Sequence, residues 1–529
     1  FFLENPHAVK LNSLLRKKII LSYERSQKIA KNTKPVYGIN TGVGPLCTKR
    51  ITSKETKSLQ RNLLLSHSVG VGDPINPELA RIMLLCKIKS LSMGFSGVSI
   101  ELIERLIYFF QNNLTPHVPE KGSVGASGDL APLAHLFLPV IGEGFFWDGE
   151  EKVESKTILK KHKLKPLDLN AKEGLALING TQFILAHAIK AISKLEYIMD
   201  LADLASAMSL EGFQGSLAPF RKELHELRPY KGIIKVANRI SSLLKDSENS
   251  NSHIDCDRVQ DPYSIRCTPQ VHGASRNALY HLKELVDIEI NSVTDNPIIL
   301  GDNSTISGGN FHGQPLALAI DYLKIAASEI GNISDRRSYL LLEGLHGLPP
   351  MLIKNAGLNS GFMITQYTTA ALVSENKSLC FPSSADSIPT GMGQEDHVSM
   401  GSISGRMCLE VIGNLEKIIA IELLHAAQAL EFRRPNKFSD PIEITFSRIR
   451  KNIKKLEEDR TLSKDIRKKV ALFCNVDLPS VIESIDVKTI YEVPLLMLKE
   501  KLDETSLKKL DLPILNAPEL QPWKNFVDK

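Results

Sequence analysis

Apolar residues recur at three- and four-residue spacing along much of the chain, and that period predicts helices. Val9, Leu11, Leu14, Leu15, Ile19, Ile20 and Tyr23 predict an amphipathic helix over 8–31. Similar patterns predict helices over 53–68, 76–92 and 100–113, the last stopping before Pro116. A long apolar pattern over 173–206 is interrupted by Asn179-Gly180-Thr181-Gln182. Polar groups at such a place are costly unless they find hydrogen-bond partners. The dominant helical patterns lie at about 272–292, 313–345 and 402–433. In the first half the hairpin signal falls in Gly142–Val153, with Asp148-Gly149 supplying the turn. Ser241–Asp257, rich in Ser, Asn and Asp, reads as an exposed loop.

Polar, glycine-rich segments separate these helices. Long apolar helices punctuated by polar loops predict a mainly α fold, a large bundle of long antiparallel helices with a site where the loops converge. A loop-rich N-terminal domain is expected over 1–190 and the long-helix bundle over 191–460. Beyond about Lys468 the pattern changes. Lys469–Val476 and Thr489–Leu496 read as strands, Pro479–Ser484 and Leu502–Leu510 as helices, so 461–529 is expected to be an α/β-like fragment.

Composition narrows the function. The 529 residues are 43% hydrophobic, ample for a large core, and the net charge of +5 makes no electrostatic case for nucleic acid. Seven cysteines are scattered singly without a CxxC pair, which argues for a reducing compartment and against a zinc site. No apolar run is long enough to span a bilayer, so no membrane association is expected. The chain starts at Phe1 without a visible signal peptide, and the cytoplasm is the default location.

The candidate chemistry centres on Gly125-Ala126-Ser127-Gly128-Asp129. Such small residues let backbone atoms approach closely, so the Gly128 amide could reach the Ala126 carbonyl and cyclise. Read alone, the stretch is better taken as a loop in which Ser127 or Asp129 caps the following helix. Val36–Pro45 is glycine-rich but lacks the Gly-Lys-Ser/Thr ending of a phosphate loop. His67, Tyr37 and Arg266, each taken alone, read as a polar-core histidine, a packed ring and an ion-pair arginine.

Taken together the polar loops identify more. Ser123–Leu133 resembles the signature of the aromatic amino-acid ammonia-lyase family. So do Tyr37–Gly42, Asn179–Gln182, Gln260–Cys267, Gly308–His312 and Gln394–Met400, in the expected order. Within that family the chain looks most like the histidine-acting members, which convert L-histidine to trans-urocanate and ammonia. The resemblance implies that Ala126-Ser127-Gly128 cyclises and loses water to give the electrophile 4-methylideneimidazole-5-one (MIO), carried by the N-terminal domain. It implies no need for a metal or a nucleotide. Tyr37 matches the base that takes the β-proton. A phenol in that role needs its pKa tuned downward, which helix N-termini or Arg266 are expected to supply. Arg266 matches the clamp on the substrate carboxylate. Asn179, Gln260 and Tyr263 match residues around the prosthetic group and substrate backbone, and Phe311 matches a lining aromatic. His67 and Glu395 match positions facing the substrate ring, and a carboxylate beside a histidine suits an imidazole. A phenyl ring would leave Glu395 unpaired, and tyrosine is the serious rival substrate. Gly391-Met392-Gly393 stands where many relatives carry Ser-Ala-Asn, a departure that touches loop geometry.

The resemblance further implies a homotetramer whose sites draw on three subunits. It leaves open an aminomutase or a tyrosine ammonia-lyase, and the rival of another class is an inactive chimaeric scaffold. That last rival arises because Asp459–Ser463, Lys468–Val476 and Thr489–Pro494 look like the end of the synthetase domain of CTP synthase. The phosphate-binding loop and glutaminase domain of that enzyme are absent from this sequence, so CTP synthesis is not expected. Truncation after about Arg467 is expected to leave the chain soluble.

Overall fold

The computed structural model describes residues 2–254, 258–302 and 304–466, all within one compact unit. The strand and helix expectations beyond Lys468 lie outside the described residues.

The N-terminal part is a layer of short helices and small sheets. α1 (Ser13–Lys31) starts where Asn12 Oδ1 accepts from the Leu15 amide at 2.8 Å, so the helix begins later than the apolar pattern at 8–31 predicts. α2 (Thr56–His67) ends on the candidate histidine. After it, β1 (Val71–Pro74) opens the strands. α3 (Pro77–Ser92) starts with Pro at its first position and Asn76 capping Glu78, the arrangement that satisfies amides which have no helical partner. α4 (Ile100–Gln111) is capped by Ser99. β2 (Thr115–Pro116) and β3 (Pro119–Lys121) follow, β3 pairing antiparallel with β1. α5 (Leu130–Phe137) leaves the Ser127 loop. The expected hairpin forms as β4 (Phe145–Asp148) and β5 (Glu151–Glu154) and is joined at its edge by β2. α6 (Ser155–Lys161) and α7 (Glu173–Ile178) lead to the break at Asn179.

The bundle starts there with α8 (Gln182–Phe213), which runs unbroken through residue 190. α9 (Lys222–Glu226), α10 (Lys231–Leu243), α11 (Glu248–Asn251) and α12 (Tyr263–Arg266) connect it to α13 (Thr268–Ile290). The exposed loop expected over 241–257 is instead partly helical and partly buried. Asn249 is fully buried because its amide donates to Glu211 Oε2 at 2.5 Å and its backbone N–H donates to Lys437 O. β6 (Ile298–Ile299) and β7 (Thr305–Ile306) form a minimal pair before α14 (Gln314–Leu342). α15 (Met363–Leu379), α16 (Gly401–Glu431) and α17 (Asp440–Asn452) complete the described elements.

Consecutive long helices alternate in direction. His272 at the start of α13 bonds Asp203 late in α8 at 2.8 Å, while Glu289 at its end meets Thr181 beside the start of α8. Thr365 of α15 bonds His425 near the end of α16 at 2.7 Å, and Asn376 meets Asn414 nearer its start. Alternation makes α8, α14 and α16 run the same way. Gly313 and Gly401 both abut Ile184 at one end, and Gly212 sits against Leu341 and Ala429 at the other. α15 has no apolar face for a periodicity to reveal: its buried residues are Thr365, Thr369 and Asn376. Each bonds a polar partner, Thr369 reaching Asp335 at 2.5 Å.

Candidate functional site

The first amides of α8, α14 and α16 converge at one end of the bundle, beside the Ser127 loop. Unpaired helical N–H groups there carry partial positive charge. Asp129 answers one of them. The sequence allows it as a cap for α5, but its side chain caps α8 instead, Oδ2 accepting from Phe183 and Ile184 at 2.9 and 3.0 Å. Burial pushes its carboxyl up to about 7, opposed by those two amides, by Ser123 and by Lys87.

The loop itself is pinned on two sides. Gly128 (φ +73°) lies so close to Gly180 that an added Cβ would stand 2.2 Å from the Gly180 carbonyl oxygen. The Asp129 N–H donates to Gly180 O at 2.8 Å. On the other side the Met400 N–H donates to Val124 O at 3.0 Å, and Ser402 donates to Ser123 O at 2.6 Å. The Ser127 carbonyl receives two donors from one short segment, Asn179 Nδ2 and the Gly180 N–H, each at 3.4 Å. Asn179 Oδ1 is buried with no hydrogen-bond partner among the described residues.

Ser127 Oγ donates to Glu395 Oε1 at 2.8 Å. Thr390 holds the other carboxylate oxygen at 3.1 Å, and its N–H donates to Glu395 O at 2.9 Å. Between them Gly391, Met392 and Gly393 all have φ between +55° and +82°. Met392 in that region costs about 1 kcal/mol or more, a strain held by the Thr390–Glu395 pairing at the loop's base.

Tyr37 and His67 face the same carboxylate. Burial raises the Tyr37 phenol above its usual value, and the Glu395 charge adds to that, while the Gly44 N–H, donating to the phenol oxygen at 3.0 Å, opposes it. The expected downward tuning is therefore not found in a single chain. Arg266 does not contribute, and burial outweighs the Gly44 amide. Burial also lowers His67, against Leu63 and Glu395, so its ring is neutral at pH 7; Nδ1 lies 3.0 Å from Ser66 Oγ. His135 of α5 ties down the segment after His67, its Nε2 accepting from the Gly70 N–H at 3.0 Å.

Gln260, Tyr263 and Arg266 lie elsewhere. Arg266 Nε donates to Asp261 O at 2.9 Å, and its guanidinium covers the Tyr263 ring at 4.4 Å. Asp261 in turn accepts from the Ser216 N–H at 2.6 Å, just past the far end of α8. A 32-residue helix is about 48 Å long, so one chain holds Arg266 and Ser127 at opposite ends of the bundle. Gln260 and Tyr263 are exposed there. Phe311, half-buried, sits two residues before Gly313, in the loop leading into α14 at the Ser127 end.

Two residues of this neighbourhood escaped the sequence reading. Thr390 left no signal. Lys87 left one, a lone charge in the apolar run Ile82–Ile88 of α3. Its ammonium is fully buried and drawn down to about 7 by desolvation, with Asp295 and Asp129 opposing. Among the described residues no cluster of His, Cys, Asp or Glu could hold a metal, and no helix is long and apolar enough to cross a membrane.

The sequence profile of aromatic amino acid lyases matches residues 2–451. The chain belongs to the aromatic amino acid lyase family. Its 43–46% identical histidine ammonia-lyase relatives make it a carbon–nitrogen lyase. Among family members, the histidine ammonia-lyase of Symbiobacterium thermophilum is 44% identical over 90% of this chain and 94% of its own. That of Homo sapiens is 44% identical over 87% of this chain and 71% of its own. The crystal structure of histidine ammonia-lyase from Trypanosoma cruzi superposes with a TM-score of 0.82, at 40% identity and 90% coverage of both chains. A tyrosine aminomutase from Streptomyces globisporus superposes with a TM-score of 0.83 at 33% identity, covering 88% of this chain and 93% of its own. A second profile, the CTP synthase N-terminus, matches residues 424–512, beginning upstream of the resemblance read from Asp459.

Proposed function

We propose that this lyase is a histidine ammonia-lyase, eliminating ammonia from L-histidine to give trans-urocanate, with Ala126-Ser127-Gly128 matured to MIO. The observation that carries the reading is the Ser127–Glu395 hydrogen bond with Tyr37 and the neutral His67 around the same carboxylate. The residues fit such a group. Gly128 has no room for a side chain, two N–H donors meet the Ser127 carbonyl, and the buried Asn179 Oδ1 is left to accept from a substrate ammonium. Ala126, Ser127 and Gly128 would carry the group within the chain, and it would supply an electrophilic carbon at which substrate nitrogen could become a better leaving group.

The chain's own residues do the rest. Glu395 accepts from an imidazole N–H, and His67 fixes the ring's rotation from the α2 side. Tyr37, as phenolate, takes the β-proton. Arg266 binds the substrate carboxylate through two parallel N–H bonds, with Gln260 and Tyr263 beside it and Phe311 lining the ring pocket. Because α8 separates Arg266 from Ser127 within one chain, Arg266, Gln260 and Tyr263 reach the site from another copy, in keeping with a homotetramer. Tyrosine aminomutase activity is the second reading, supported by the comparable superposition of that enzyme at lower identity. Intact mass and product chromatography test both. The proposal expects loss of two waters and urocanate from L-histidine; an unmodified mass, or β-tyrosine from L-tyrosine with no urocanate, contradicts it.

A further inference from the structure

Lys87, buried behind the Ser127 loop, is an ammonium that the proposed chemistry does not use. Its Nζ donates to Ala176 O at 3.1 Å and to Asn179 O at 2.6 Å. These are carbonyls at the C-terminal end of α7, where a cation is favoured. The second contact matters more. Asn179 C=O and Gly180 N–H are opposite edges of one planar peptide group, pointing in opposite directions. Lys87 holds one edge, and the other edge donates to the Ser127 carbonyl at 3.4 Å. Such a chain of hydrogen bonds polarises along its length, so the cation sharpens the Gly180 N–H as a donor as well as aiming it.

Its place is built. Asp295, Lys172 and Asp129 are the charges around Lys87. Lys172 and Asp295 are themselves paired at 2.7 Å and buried. Gly180 has no room for a Cβ, which would stand 2.7 Å from Thr294 Oγ1 and from Gln182 Oε1.

We propose that Lys87 is a positioning residue for maturation of Ser127, acting through the Asn179–Gly180 peptide on the Ser127 carbonyl. In the dehydration of Ser127 its Cα–H bond breaks, the electron pair forms the Cα=Cβ bond, and the Cβ–Oγ bond breaks. The released proton and the departing hydroxide leave together as water. Negative charge spreads onto the Ser127 carbonyl as the Cα proton is lost, and donors aimed at that oxygen stabilise it. The inference rests on the proposed self-modification, which the mass of the parent chain tests separately.

The experiment follows intact mass at fixed times after synthesis, in the folded fraction isolated by size exclusion, for the parent, Lys87→Met, Lys87→Gln and Lys87→Arg. In a parent that loses two waters, dehydration is expected to be on the order of tenfold slower in Lys87→Met, since loss of an oxyanion donor itself costs 10²–10³-fold and Lys87 acts one step behind. Lys87→Gln, which keeps one donor group, is expected between Met and the parent. Lys87→Arg is expected to restore the parent rate, a rescue that mere filling of space would not give. Parent-rate dehydration in Lys87→Met overturns the proposal. So does failure of both neutral variants to fold, which would make Lys87 a stability residue.

Discussion

Ser127 Oγ donates to Glu395 Oε1 across 2.8 Å, joining positions 268 residues apart. In the proposed maturation Ser127 loses that hydroxyl, which would free the same carboxylate oxygen for a substrate ring. Replacing Glu395 with Ala removes the ring's acceptor from a partly buried pocket. The expected result is a fall in kcat/KM for L-histidine on the order of a hundredfold, the loss typical of one partner of a desolvated charged hydrogen bond. Steady-state kinetics check it, with intact mass showing that the loop still matures.

Tyr37 sets a pH dependence. Its folded-state pKa lies above the ordinary phenol value, chiefly through burial and secondarily through Glu395. The phenolate is then scarce at neutral pH and grows as pH rises. A kcat/KM that climbs toward alkaline pH is expected in the parent, and Tyr37→Phe is expected to abolish turnover across the range. A flat profile from pH 7 to about 10 would remove Tyr37 from the base role.

The length of α8 gives a complementation test. Arg266→Ala and Ser127→Ala are each expected to be inactive as pure oligomers. In the proposed homotetramer, co-expression would give mixed oligomers in which some sites combine an intact Arg266 from one copy with an intact Ser127 from another. Partial activity in the mixed preparation is expected, and none would return if a single chain supplied both.

The bundle's buried ion network predicts an acid limit. Burial alone would raise the Asp203 carboxyl, but Arg276, His272 and Arg239 together bring it down to about 2. A depressed carboxylate stabilises the fold above its unfolded pKa of about 4 and loses that contribution as pH falls toward 2. Asp203→Asn is expected to flatten the stability curve in that window, removing about 2 kcal/mol of its pH dependence. Denaturant unfolding at a series of acid pH values reads this directly.

How far the sequence reached depended on what each residue packs against. α13, α14 and α16 bury long apolar faces, and their periodicity exposed them within a few residues, whereas α8 starts only at Gln182 and runs on to Phe213, past the end expected at 206. α15 escaped because its inner face is Thr365, Thr369 and Asn376, whose partners lie on other helices. Asp129 was legible as a cap, but its target was not, since Phe183 is remote in sequence and close only in space. The site loops were readable as motifs. That Tyr37 is shifted upward, and that Arg266 lies a helix-length from Ser127, are consequences of tertiary placement that no local pattern carries.

The most direct measurement follows ultraviolet absorbance of the purified, full chain with L-histidine and, separately, with L-tyrosine. Appearance of urocanate from L-histidine, with a higher kcat/KM than any turnover of L-tyrosine, is the predicted result. No urocanate, together with coumarate or β-tyrosine from L-tyrosine, would contradict it.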